Sequence, residues 1–207
     1  MLWTITGIAI SYLIGSIPTA YIFGRLLKGI DIRKFGSGNV GATNAMRVLG
    51  KTPGITVLVL DAAKGFIAVY FLGNFIAAKS PVVSDEILRI ILGIACISGH
   101  NWTIFLRFKG GKGIASTLGV LIGLSMKIAG LNLILGLVIL TWVLGLLFFR
   151  IVSVSSIIAG ISLPVYLFAF NHSLVLKLLG IILAIFTILR HKQNIKRFLQ
   201  AKEPRLF

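Results

Sequence analysis

MLWTITGIAISYLIGSIPTAYIFG, Met1 to Gly24, carries no charged residue. At a helical rise of about 1.5 Å per residue it is long enough to cross a hydrocarbon core of about 30 Å. It therefore reads as a first membrane span. A cleaved leader would place positive charge before the apolar run and small residues after it, whereas Arg25, Lys28, Arg33 and Lys34 follow this one. The amino terminus is expected on the outer side. Ser16 and Pro18 can loosen the helix locally, a kink being the plain reading of proline in a membrane helix.

The rest of the chain continues the pattern. A mean hydropathy of +1.00, with 57% hydrophobic residues in a chain of 207, exceeds what a soluble core of that size can hide. Thr52 to Ala78 reads as the second span. Asp61 and Lys64 within it share a helix face and can neutralise each other, either as a structural ion pair or as support for neighbouring loops. Lys79 to Glu86, with Pro81, is a short connection, and the third span runs from about Ile87 to Leu106. Ile114 to Met126 is a helix too short to cross fully unless its ends snorkel or the bilayer thins. Ile128 to Phe149, Ile151 to Phe170 and Leu174 to Leu189 complete the set, and the basic tail from Arg190 is expected as a helix on the membrane surface. The expectation is an all-α polytopic membrane protein of seven transmembrane helices, one of them short, forming one integral-membrane domain over residues 1–207.

Charge orients this arrangement. With the amino terminus outside and the carboxy terminus cytoplasmic, Arg25 to Lys51, Arg107 to Lys112, Arg150 and Arg190 to Arg205 all fall inside, sixteen of the 21 Lys and Arg residues. The positive-inside rule is met by this topology and reversed by its mirror image. The net charge of +16 thus reports orientation and anionic ligands or lipid, and no nucleic-acid partner is expected. Cys96 is the single cysteine, which excludes an intramolecular disulfide, and it reads as core filler with no zinc-type Cys/His spacing around it.

The same topology gathers three polar segments on the cytoplasmic surface. The first is Gly36 to Arg47, GSGNVGATNAMR. It matches the G-x-G-x-x-G dinucleotide pattern by letter, but Asp31 to Phe35 before it is no buried strand, so that match is rejected. Its Ser37, Asn39, Thr43 and Asn44 can supply neutral hydrogen bonds and Arg47 a bidentate phosphate clamp. The second, Gly99 to Gly113, is GHNWTIFLRFKGGKG. Gly110, Gly111 and Gly113 can turn N–H groups toward an anion beside Lys112, and the helix that follows adds its positive end. A basic juxtamembrane loop punctuated by glycine is the alternative reading. A nucleotide P-loop is excluded, because Leu106 stands where glycine is needed and Gly113 replaces the Ser or Thr that binds magnesium. In the third segment His191 and Asn194 share a face if the last helix continues. His100 is assigned to holding its loop, Trp102 to an interface anchor, and His172, on the outer side, to no chemistry.

SGNVGATNAMR at Ser37 to Arg47, GHNWTIFLRFKGGKG at Gly99 to Gly113 and HKQNIKR at His191 to Arg197 together resemble the three signature motifs of the bacterial acyl-phosphate-dependent glycerol-3-phosphate acyltransferase family. The resemblance implies transfer of a fatty acyl group from acyl phosphate to the 1-hydroxyl of sn-glycerol 3-phosphate, giving lysophosphatidic acid and phosphate, the first step of phospholipid synthesis. It further implies that Ser37, Arg47 and Lys112 hold the phosphate of glycerol 3-phosphate, that His191 and Asn194 hold its hydroxyl end, and that the glycine loop holds the acyl phosphate. Asn39 and Thr43 match the family's loop. The expected location is the bacterial inner membrane, multi-pass, with the site at the cytoplasmic face of a monomer.

The residues are consistent with that chemistry. Two phosphorylated substrates explain cations and N–H donors in two loops, and an acyl chain explains a site opening into lipid. No carboxylate lies in any motif. No Asp lies five residues after a histidine either, where Phe105, Lys177 and Lys196 stand. Acyl phosphate has a good leaving group, so a substrate phosphate can take the hydroxyl proton while the protein supplies proximity and charge stabilisation. No metal or organic cofactor is expected. A transporter for an organic phosphate is the rival, disfavoured by the lack of an internal repeat and by motifs confined to one side. A lipid-binding scaffold would not need the glycine loops and Arg47 together.

Overall fold

The computed structural model describes residues 1–79 and 83–206, and among these there is no strand. Pro81 of the expected connection lies outside the described residues. The chain divides into two compact units, Met1–Lys127 and Ile128–Phe207.

The first unit contains α1 (Leu2–Ser16), α2 (Thr19–Lys28), α3 (Ala42–Leu49), α4 (Lys51–Phe66), α5 (Gly73–Lys79), α6 (Asp85–Asn101) and α7 (Ile114–Ser125). Its first span is divided, where a continuous helix with a local kink was expected. Pro18 has no N–H to continue the ladder, so Ile17 turns back onto the Ile14 carbonyl at 3.3 Å and α2 starts afresh. Unpaired carbonyls at a break inside a membrane need donors. Lys64 Nζ of α4 donates to the Ile17 and Gly15 carbonyls at 2.9 and 3.3 Å, and the Thr103 hydroxyl donates to the Ser16 carbonyl at 2.6 Å.

α1 packs on α6 through Gly7, Ser11 and Gly15, spaced four apart on its buried face. A β-carbon at Gly15 would overlap the Cys96 backbone, so the helices meet nearly backbone to backbone. The Ser11 hydroxyl donates to the Leu92 carbonyl across the seam at 2.5 Å. α4 packs on α7 in a similar way, with Gly65 and Gly119 each against the partner helix's backbone.

Between α4 and α5 the helix widens to a π turn over Ile67–Leu72. A π turn displaces carbonyls from the α-helical ladder, and Arg89 of α6, 2% exposed, reaches them. It donates to the Val69 carbonyl at 2.7 Å, to Asn74 Oδ1 at 2.8 Å and to Asp85 at 2.7 Å. Arg89→Met should therefore lower the unfolding midpoint in detergent through unsatisfied groups worth about 1–3 kcal/mol. An unchanged midpoint would show that the π turn holds without it.

The second unit contains α8 (Leu131–Phe149), α9 (Val152–Ala169), α10 (Leu174–Arg190) and α11 (Lys192–Leu199). α8 meets α9 through the Thr141 and Tyr166 hydroxyls at 2.8 Å and through Trp142 Nε1, which donates to the Ser156 hydroxyl at 3.1 Å. α10 bends into α11 by 58° at His191. The tail is helical as expected over α11, and beyond it the chain folds back so that the Leu206 N–H donates to the Arg150 carbonyl at 2.7 Å.

Among the described residues five segments can cross a membrane by length and apolar composition, Leu2–Lys28, Lys51–Lys79, Asp85–Leu106, Leu131–Phe149 and Val152–Ala169, and a sixth if α10 and α11 count as one bent span. α7, at 12 residues, is short for a bilayer, as its sequence predicts. The molecule is an all-helical integral membrane protein, and large apolar side chains such as Phe71, Phe148 and Val165 stand exposed on its spans, where lipid solvates them.

Candidate functional site

The first polar segment is a loop fastened from within. Asp31 caps a 3-10 turn over Ile32–Lys34 and grips Arg33 through both carboxylate oxygens, at 2.9 and 2.7 Å. That guanidinium holds the Asp31 carboxyl down at about 2. Gly36 and Gly38 then take left-handed backbone, at φ 58° and 71°, and a β-carbon at Gly36 would overlap Asn44 Oδ1. Asn44 is 1% exposed. Its Oδ1 accepts from the Ser37 N–H at 2.8 Å, and its Nδ2 donates to the Phe35 and Asn39 carbonyls at 3.1 and 3.0 Å. Asn44, expected among the ligand-binding side chains, is therefore the staple that shapes the loop. The Ser37, Asn39 and Thr43 side chains and the exposed Arg47 guanidinium make no hydrogen bond among the described residues. Thr43 and Arg47, four apart on α3, share one face.

The second segment closes α6. The Gly110 and Gly111 N–H groups donate to the Asn101 and His100 carbonyls at 3.2 and 2.9 Å. This corrects the expectation that these N–H groups turn toward an anion: they satisfy carbonyls that the end of α6 leaves open. What the glycines provide is close approach, since a β-carbon at Gly110 would overlap the His100 carbonyl and one at Gly111 the His100 ring. Arg107 and Phe108 both adopt left-handed backbone, at φ 54° and 60°, a strained pair that reverses the chain ahead of the glycines. Gly113, at φ 80°, starts α7 with Lys112 half-buried just before it.

These two segments meet at the broken first span. A small, partly open cavity is lined by Gly15 to Thr19 from the break, Val40 from the first segment and His100, Thr103, Gly110 and Gly111 from the second. The Asp61–Lys64 pair, 2.7 Å apart, stands behind it: Asp61 accepts from the Thr19 hydroxyl, and Lys64 Nζ lies 3.4 Å from His100 Nδ1. The ion pair expected from the sequence is present, and its contacts reach the broken span and the His100 ring. His100 holds its loop, as its sequence context predicts.

The third segment belongs to the second unit. His191, 2% exposed, sits at the bend with Nδ1 2.8 Å from the Thr187 carbonyl. A carbonyl only accepts, so Nδ1 carries a proton in that contact. Asn194 Nδ2 donates to Glu203 Oε1 at 2.5 Å, the Ser153 hydroxyl to the same oxygen at 2.7 Å and Arg197 Nε to Oε2 at 2.7 Å. Burial alone would raise the Glu203 carboxyl; hydrogen bonds from Arg197, Asn194 and Ser153 outweigh it and hold the group below its usual value. Sequence reasoning missed Glu203 and Ser153. The available signal was that Glu203 is one of only five acidic residues and stands alone in a basic tail. Among the described residues no group of three or more His, Cys, Asp and Glu side chains could hold a metal ion.

A family model described as glycerol-3-phosphate acyltransferase matches residues 5–201. The chain is 42% identical to a glycerol-3-phosphate acyltransferase of Rippkaea orientalis, covering all of this chain and 95% of the relative. It is 38% identical to one of Prochlorococcus marinus, covering 98% and 97%. Among solved structures it is similar to the crystal structure of PlsY (YgiH), an integral membrane glycerol 3-phosphate acyltransferase, in its glycerol 3-phosphate form, with a TM-score of 0.86 at 35% identity over 99% of this chain and 96% of that one. The lysophosphatidic acid form of PlsY gives a TM-score of 0.82 at 34% identity.

Proposed function

Because this chain belongs to the glycerol-3-phosphate acyltransferase family, we propose that it moves a fatty acyl group from acyl phosphate to the 1-hydroxyl of sn-glycerol 3-phosphate, releasing lysophosphatidic acid and inorganic phosphate. It is an integral membrane acyltransferase of lipid synthesis. The observation that carries the reading is full-length similarity to a protein solved in its glycerol 3-phosphate form, in a chain whose first two polar segments meet at one cavity.

In this reading Ser37, Thr43, Arg47 and Lys112 hold the phosphate of glycerol 3-phosphate, and the Asn39 side chain supplies a hydrogen bond to the reacting groups beside them. The acyl phosphate's phosphate lies against Gly110, Gly111 and Gly113, and His191 and Asn194 serve the acceptor's hydroxyl end. The 1-hydroxyl oxygen attacks the acyl carbonyl carbon, the bond from that carbon to the phosphate oxygen breaks, and the electron pair leaves on phosphate, which also takes the hydroxyl proton. Cations and donors stabilise the oxyanion and the leaving group, and binding supplies the orientation. Glu203 is a poor base by this account, because three donors already hold its carboxylate. His191→Ala should lower kcat by about 10- to 100-fold without abolishing turnover, by misplacing the hydroxyl. Rescue of that variant by imidazole would instead make His191 the base.

The charge distribution supports seven crossings with α7 as the short one, the amino terminus outside and the carboxy terminus in the cytoplasm, in the bacterial inner membrane. Residues 1–207 would then act as one acyltransferase domain, as a monomer, with the site at the cytoplasmic face. The test is purified protein supplied with acyl phosphate and glycerol 3-phosphate. Lysophosphatidic acid and phosphate should appear in equal amounts and only with both substrates present. Saturable uptake of glycerol 3-phosphate into vesicles without product would overturn the enzyme reading.

A further inference from the structure

Asp61 and Lys64 are buried in the last two turns of α4, with side chains 2% and 7% exposed. Burying two charges costs free energy that an apolar pair would avoid, and a helix crossing a membrane has no need of them for stability. Their contacts indicate a different use. Lys64 Nζ donates to the Gly15 and Ile17 carbonyls and lies 3.4 Å from His100 Nδ1, while Asp61 accepts from the Thr19 hydroxyl and lies 3.8 Å from His100. All four of those residues line the cavity between the broken first span and the glycine loop. His100 carries the connection onward: its carbonyl accepts the Gly111 N–H at 2.9 Å, and its ring occupies the space a side chain at 111 would need.

We propose that Asp61 and Lys64 are positioning residues for the acyl transfer, fixing the broken span and the His100 ring so that Gly110 and Gly111 stand where the donor's phosphate binds. The assignment of that cavity to the donor rests on the function proposed above. The pair touches no substrate in this account. Lys64 places one ammonium between two helix-end carbonyls, Asp61 orients that ammonium and the first residue of α2, and His100 passes the alignment to the loop. A misplacement of reacting groups by about 1 Å can cost on the order of 100-fold in rate, so a rigid support behind a glycine loop has a large effect on catalysis.

The test compares wild type with the double variant Asp61→Leu/Lys64→Met, which leaves no unpaired charge, and with Lys64→Arg, which keeps the charge but cannot seat a single ammonium between the Gly15 and Ile17 carbonyls. The readouts are steady-state kinetics with each substrate varied and amide hydrogen exchange over residues 107–113. In a folded variant kcat/KM for acyl phosphate should fall by about 100-fold while KM for glycerol 3-phosphate stays within about twofold, and the Gly110 and Gly111 amides should exchange faster with α4 and α6 still protected. Wild-type kcat/KM for the donor in either folded variant would overturn the proposal, as would unchanged exchange at Gly110 and Gly111. If wild type itself makes no product from acyl phosphate, the donor reading fails, and the exchange measurement still decides whether the pair holds the loop.

Discussion

Lys112→Ala should lower kcat/KM for glycerol 3-phosphate by about 30- to several-thousand-fold, equivalent to about 2–5 kcal/mol, in a protein that still folds. Lys112 is half-buried and lies between Gly111 and the left-handed Gly113 that opens α7. A phosphate dianion brought to that point leaves bulk water, and removing the lysine set among the loop's glycines would leave part of its charge uncompensated at low dielectric. Folding should survive, because the Gly110 and Gly111 N–H groups already satisfy the Asn101 and His100 carbonyls at the end of α6. Lys112→Arg should recover part of the loss, since it restores charge with a different shape. If a folded Lys112→Ala protein kept wild-type kinetics with both substrates, Lys112 would have no place in the site.

Glu203→Ala should cost both stability and activity. The side chain is 4% exposed and gathers Ser153 from the start of α9 and Asn194 and Arg197 from α11. Removing it strands a buried amide and a partly covered guanidinium, at a cost of about 1–3 kcal/mol in unfolding free energy. Asn194 would then lose the anchor that fixes its rotamer, and kcat should fall by about 10- to 100-fold. The pH dependence follows from the carboxyl's lowered value. Its contribution is complete above the unfolded-chain value of 4.5 and is lost as pH falls through the lower folded value. Below pH 4.5 the wild-type unfolding midpoint should therefore drop more steeply than that of Glu203→Gln, which has no carboxyl to titrate. Parallel profiles, or full activity in Glu203→Ala, would show that the tail contact is incidental.

What could be read from the sequence was whatever local composition dictates. Hydropathy delimits the spans to within a few residues, and charge-free Met1–Gly24 declares a membrane protein. The glycine-rich loops announce backbone that must approach something closely. What escaped depends on partners distant in sequence. Pro18 is visible as a helix breaker, but the complete break becomes tenable only when Lys64 and Thr103 arrive to satisfy its carbonyls. Asn44 reads as a ligand donor until its amide is found already saturated by its own loop. Gly110 and Gly111 look like an anion cradle, yet their N–H groups close the end of α6. The π turn over Ile67–Leu72 leaves no mark in its own residues, and Arg89, which serves it, reads in the sequence as the partner of Asp85 one turn earlier. Glu203 escaped because it lies outside every motif.

An acyl transfer in which the protein provides no strong base needs a donor that carries its own good leaving group. The most direct measurement is the initial rate of lysophosphatidic acid formation by purified protein with matched acyl chains presented as acyl phosphate or as a thioester, at the same glycerol 3-phosphate concentration. Acyl phosphate should be used at least about a thousandfold faster, in line with the weight that a missing general base places on the leaving group. Equal or faster turnover of the thioester would contradict it.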